Sequence, residues 1–160
     1  MKIKTAAITT IAALSIALSA NAAVSVNFEN PDNFSDISLD SIDSKKDQQI
    51  VLKDLEKYMT RKLDKKIGDQ YIASVNVTDV DLAGEIEPWR SRLQDVRIVK
   101  SIYPASIAFE YQILDLDGNV VAQGEENLRD RNVMTSITHN FEDYPYVKDL
   151  YDTWVRKLKV

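Results

Sequence analysis

Cysteine is absent from the 160-residue chain, which removes disulfides, thiol nucleophiles, iron–sulfur clusters and thiolate zinc sites together. Histidine occurs once, at His139, so a triad or a histidine-held zinc ion would depend on that single imidazole. No Gly-x-Ser-x-Gly elbow accompanies it, and the plain reading is a solvated surface histidine. The four glycines, Gly68, Gly84, Gly118 and Gly124, are isolated from one another. A glycine-rich phosphate loop is therefore missing, and nucleotide hydrolysis has no support. Basic residues are in deficit, 20 Lys and Arg against 25 Asp and Glu, for a formal charge of -5. That balance disfavours a nucleic-acid surface, which needs clustered cations. What remains, 44% hydrophobic and 28% charged residues, is the composition of an ordinary soluble domain.

The N-terminus reads as an export signal. Lys2 and Lys4 precede the uncharged apolar run Ala6 to Leu18, and Ala20-Asn21-Ala22 supplies the small-x-small pattern of a cleavage site. Such a run is short for a membrane span, which takes about 20 apolar residues. The expectation is cleavage between Ala22 and Ala23, with an uncleaved anchoring segment as the alternative. Without an Arg-Arg pair or a cysteine after the run, neither twin-arginine export nor a lipid anchor is expected. Residues 1–22 are thus expected to be removed, leaving 23–160 as one soluble periplasmic domain. Loss of Lys2 and Lys4 takes its charge from -5 to -7.

The remainder patterns as β-α-β-β-β-β-α. Val24, Val26 and Phe28 alternate with polar residues and predict a strand. A polar connection follows from Asn30 to Asp47, with Phe34, Ile37 and Leu39 pinning it to the body. Leu52, Leu55, Met59, Leu63 and Ile67 recur at helical spacing, flanked by Val51 and Tyr58, with Ser44 as N-cap and Gly68 as the stop. Tyr71, Ala73, Val75 and Val77 alternate, after which the phase slips to Val80 and Leu82. That slip predicts a bulge near Thr78 and Asp79. Strands are expected over Val96–Ile102, Ala105–Leu114 and Val120–Leu128, the last two joined by a hairpin turn at Asp115–Asn119. Val147, Leu150, Trp154 and Leu158 share one face of a final helix, flanked by Tyr151. One crossover unit followed by a meander predicts an α+β two-layer sandwich, a mixed sheet with two helices on one face.

Several segments carry a family resemblance: Thr78-Asp79-Val80-Asp81-Leu82-Ala83-Gly84-Glu85, Glu87-Pro88-Trp89-Arg90, Asp95-Val96-Arg97-Ile98-Val99-Lys100, Tyr103-Pro104, Leu128-Arg129-Asp130 and Asp152-Thr153-Trp154. Together with Val24–Phe28, Pro31, Phe34, Asp36 and Ile37 at the start and Asp117-Gly118, they make the chain similar to the bacterial exported family called domain of unknown function 3016. The resemblance implies an envelope domain and supplies no catalytic residues. The stretch Phe141–Lys148 departs from the family's pattern.

Chemistry concentrates in one acidic stretch. Asp79 and Asp81, two apart, face one side of an extended strand, and Glu85 and Glu87 repeat that spacing across Gly84. Such carboxylates serve a divalent cation, a general acid and base pair, or structural ion pairs with Arg90, Arg92 and Arg97. Ion pairing accounts for them without a metal or cofactor, with Arg97 on a strand clamping Asp79 or Asp81. Trp89, beside Pro88, is expected to be a core lid or an exposed anchor, the core being the default for so large a ring. Asp115-Leu116-Asp117-Gly118-Asn119 has part of a calcium-loop pattern, yet its alternating apolar flanks favour the hairpin. Candidate binding residues are therefore Asp79, Asp81, Glu85, Glu87, Trp89, Arg90 and Arg97. Three functions follow. The first is a noncatalytic module that binds an envelope protein, a cell-wall polymer or a small ligand. The second is a carboxylate-based hydrolase of glycan or peptide, and the third a structural or folding-assistance role.

Overall fold

Side-chain alternation builds the sheet. In the computed structural model, which describes residues 23–39, 44–87, 89, 96–130 and 143–160, Val24 and Val26 turn inward along β1 (Val24–Phe28). The chain crosses through α1 (Lys45–Ile67) to β2 (Tyr71–Asp81), which lies parallel to β1 with Val24 opposite Ala73. β5 (Ser106–Asp115) and β6 (Val120–Arg129) continue the sheet antiparallel, in the order β1-β2-β5-β6. Between β2 and β5 in the chain, β3 (Glu85–Ile86) and β4 (Arg97–Ile98) form a separate two-stranded ribbon. The final helix is α2 (Pro145–Lys157). Among the described residues no helix is long and apolar enough to cross a membrane.

The mixed sheet with both helices packed against it is the expected α+β architecture. The register shift in β2 falls between Val77 and Asp79, where the apolar phase slips. Asp115 closes the hairpin by accepting from the backbone N–H of Asp117 at 3.0 Å and Asn119 at 2.8 Å. Ser44 caps α1 through its Oγ, which accepts from the Lys46 N–H at 3.3 Å, and Gly68 ends the helix at φ 63°.

Three expectations need correction. The strand expected over Val96–Ile102 shrinks to Arg97–Ile98 and stands outside the main sheet. β2 and β5 already have a neighbour on each side, which leaves no lateral place for it in the interior. On α1 the buried stripe runs through Val51, with Leu52 only partly covered. On α2 Tyr151 is the fully buried centre and Leu150 the flank, the reverse of the expected order. The export leader, Pro88, Arg90, Arg92 and His139 lie outside the described residues.

The core is one cluster. Phe109 of β5 sits at 0% exposure, edge-on to Trp154 at 4.9 Å and to Tyr151 at 5.8 Å between ring centroids. Leu55, Met59 and Leu63 of α1 meet the valines of β1 and β2 in the same cluster. The two helices meet along a polar seam. Lys148 Nζ lies 2.7 Å from Asp54 and Lys62 Nζ 2.6 Å from Asp152. The Tyr58 ring has both ammonium groups over it, at 5.0 and 4.9 Å. Asp54, Tyr58 and Lys62 are spaced one turn apart, as are Lys148 and Asp152, so the pairing sets α1 and α2 in the same direction.

Candidate functional site

The acidic stretch surrounds a knot centred on Arg97. Its guanidinium takes Asp36 in a two-pronged pair, 2.7 Å from Nη1 and 3.1 Å from Nη2. The same group donates to the carbonyl of Gly84 at 2.7 Å and to that of Ser38. Asp36 is fixed from its backbone as well: its N–H donates to Val80 at 3.0 Å, and its carbonyl accepts from Leu82 at 2.9 Å. A single bridge thus ties the N-terminal connection to the end of β2. Gly84 is required here. Its φ is +89°, and a Cβ would fall 2.9 Å from Arg97 Cγ and 3.0 Å from the Ile98 carbonyl oxygen.

The clamp is therefore real, but its acid is Asp36 and not Asp79 or Asp81. Asp79 instead accepts from Ser35, at 2.7 Å from the backbone N–H and 2.8 Å from the hydroxyl, fastening the connection one step further along. Asp36 carries part of the family resemblance, but its pairing with Arg97 was hidden, because the two lie 61 positions apart and Asp36 sits in a segment that reads as loop. Asp79 and Asp81 do share a face, opposite the buried Val80.

Asp81 has a different role. It stands across Ser106 from Arg129 on adjoining strands. Burial, followed by the negative charge of Asp36, pushes its carboxyl up to about 6; Arg129 pulls the other way, Asp79 adds to the rise, and Arg97 opposes it. The folded state thus holds this proton more tightly than the unfolded chain. The stability from Asp81 is complete below 3.8, the ordinary value, and declines as the pH rises through about 6. After discounting for solvent screening the effect is about 1–2 kcal/mol. Asp81→Asn should consequently raise stability at pH 8 and flatten the decline between pH 4.5 and 7. Urea midpoints of both proteins across that range check this, and parallel pH profiles would refute it.

Glu87 is the deepest of the predicted acids, 2% exposed. Lys100 pairs with its Oε1, and the Tyr103 hydroxyl donates to the same oxygen at 3.1 Å. Desolvation and that bond to Glu87 raise the Tyr103 phenol above its ordinary value. Lys100 and Tyr103 belong to the site, and their closeness to the acids in sequence was the available signal. Glu85 is exposed at the start of β3. Trp89 is not a core lid: it is 72% exposed, two residues beyond the buried Glu87. Arg90 lies outside the described residues. Among the described residues no three His, Asp or Glu side chains gather as a metal site would require.

Beside the knot a cavity of about 340 Å3 opens between Leu82, Val99 and the start of α2 at Tyr144 to Val147, with Arg97 on its wall. Its lining is mostly apolar, and the guanidinium on its wall is the one already engaged by Asp36. The arrangement has the chemistry of a braced loop: hydrogen-bonded acids below, an exposed indole above. A family described as "Protein of unknown function (DUF3016)" matches residues 22–157. No curated protein matches the chain.

Proposed function

The chain belongs to the DUF3016 family, and from the state of its acidic residues we propose that it works as an exported, noncatalytic binding module of the cell envelope. The observation that carries this reading is the commitment of the acids. Asp36 is held by Arg97, Asp79 by Ser35, and Glu87 by Lys100 and Tyr103. A hydrolase working through two carboxylates needs one as acid and a second ready as base or nucleophile. The carboxylate-hydrolase reading keeps one supporting observation, the proton held on Asp81 to about 6. Its neighbours Asp36 and Asp79, however, are engaged elsewhere. Export is supported by Lys2, Lys4, the Ala6–Leu18 run and Ala20-Asn21-Ala22. Its partner is an envelope protein, a cell-wall polymer or a small ligand, with no nucleic acid.

Trp89 is the side chain best placed to meet that partner, because its ring is exposed two residues beyond the anchored Glu87. Trp89→Ala should leave the melting temperature within about 2 °C of wild type, as an exposed residue does. It should also reduce recovery of the partner cross-linked to the protein in the envelope fraction by tenfold or more. The same preparation, starting at Ala23 by intact mass, should show no turnover of peptidoglycan fragments or casein. Turnover abolished by Asp81→Asn would replace this reading with the hydrolase.

A further inference from the structure

A second surface lies away from the acidic loop. β6 forms one edge of the main sheet, and among the described residues its only strand neighbour is β5. On its helix side small residues, Ala122 and Gly124, alternate with exposed positions, and the Tyr111 ring lies over Gly124. A Cβ there would sit 3.2 Å from that ring. Glycine inside a strand often marks such a close approach. Because β6 carries little bulk and α2 packs chiefly on β5, a groove of about 590 Å3 opens between β6 and α2. Tyr111 and Trp154 make an aromatic wall, their rings 5.0 Å apart, and Leu128 and Leu150 extend the apolar lining.

Exposed edges are normally blunted by Pro, Lys, a bulge or shortness. β6 is ten residues long and contains neither Pro nor Lys; its charges, Glu125, Glu126 and Arg129, are confined to its second half. Its register irregularity falls at the start, opposite the step from Ile113 to Leu114, leaving Ala122 to Arg129 in regular pairing. An exposed regular edge beside an apolar groove under a helix has the two parts that strand addition uses. Main-chain hydrogen bonds supply affinity, and the groove receives every second side chain. The charge around the groove selects the partner. Lys157, Lys159 and Arg129 line it against the single acid Glu126, in a chain whose overall charge is -5.

We propose that the β6–α2 groove binds an extended acidic polypeptide segment, which adds antiparallel or parallel to β6 and turns every second side chain into the groove, apolar ones against Tyr111, Trp154 and Leu128 and acids against Lys157 and Lys159. This deepens the binding-module reading, and none of the acidic-loop residues lines the groove, so Trp89 and groove variants fail separately. The probe is a synthetic decapeptide that turns Val, Leu and Asp toward the groove at alternate positions, with Thr between them on the opposite face. Its controls carry Lys in place of Asp, or Pro at two of the intervening positions. Hydrogen exchange should show the outward amides of β6 protected at least tenfold more at saturating peptide. Lys157→Glu with Lys159→Glu, both exposed, should weaken binding tenfold or more, and Ala122→Arg should block it by filling the trough. The Pro peptide should not bind. Equal binding of the Pro or Lys peptides would overturn the proposal. So would edge amides already protected without peptide. Protection by a peptidoglycan fragment and not by the peptide would assign the groove to glycan and overturn it as well.

Discussion

Arg97→Gln should lower the unfolding free energy by about 3–5 kcal/mol, the range for removing one member of a well-shielded ion pair. Asp36 would keep its charge with its side chain 18% exposed and lose both guanidinium contacts. The carbonyls of Ser38 and Gly84 would lose their donor at the same time. Asp36→Asn should cost less, because the guanidinium keeps those carbonyls. The double variant should cost less than the two singles added together, since removing both charges leaves neither one stranded. Urea unfolding of all four proteins measures the coupling directly. An Arg97→Gln midpoint matching wild type would mean the knot contributes nothing to stability. Asp81→Asn makes the contrast: Asp36 and Asp81, bridged acids on separate segments, should respond with opposite signs at pH 8.

The second large effect is in the core. Phe109→Ala should cost about 3–5 kcal/mol, the loss of buried aromatic surface plus the cavity left behind. Phe109 is at the centre of an aromatic cluster with Tyr111, Tyr151 and Trp154, so edge-to-face contacts vanish along with the area. Leu55→Ala, on the facing helix at 1% exposure, falls in the range of about 2–5 kcal/mol. Lys57→Ala, on the exposed side of α1, should stay within about 0.5 kcal/mol. Similar denaturation midpoints for Phe109→Ala and Lys57→Ala would contradict the strand phase that places Phe109 inside.

Local periodicity made most of the sheet and both helices legible. Val24 to Phe28, Tyr71 to Val77 and Ile107 to Ile113 each alternate, and a period of two follows from strand geometry without knowledge of neighbours. The bulge at Thr78 was legible for the same reason, since a slipped phase needs an extra residue. Long-range pairing was not. Arg97 has acids close by in sequence, and nothing local distinguishes them from Asp36, which reaches the guanidinium only because its backbone bridges β2. The Val96–Ile102 segment has strand composition, but strand formation needs a vacant partner, and vacancies are decided by the whole topology. Trp89 misled because ring size argues for burial, whereas exposure is decided by tertiary neighbours that local sequence does not show. The groove beside β6 had one local sign, Gly124 within a strand, whose meaning depends on the Tyr111 ring above it.

The parallel pairing of β1 with β2 also has a temporal side. Across the β5–β6 hairpin, Leu114 and Val120 are partners only six positions apart, whereas Val24 meets Ala73 across 49. Hairpins close in microseconds, while distant pairings must first overcome the entropy of a long loop. By that argument the β5–β6 hairpin should form before β1 pairs with β2, and pulsed hydrogen exchange during refolding should show its amides protected first. Contacts that form late govern how fast a folded molecule comes apart more than how fast it forms. Val24 and Val26 would then act as a latch on an already built sheet, and Val24→Ala should speed unfolding more than it slows folding.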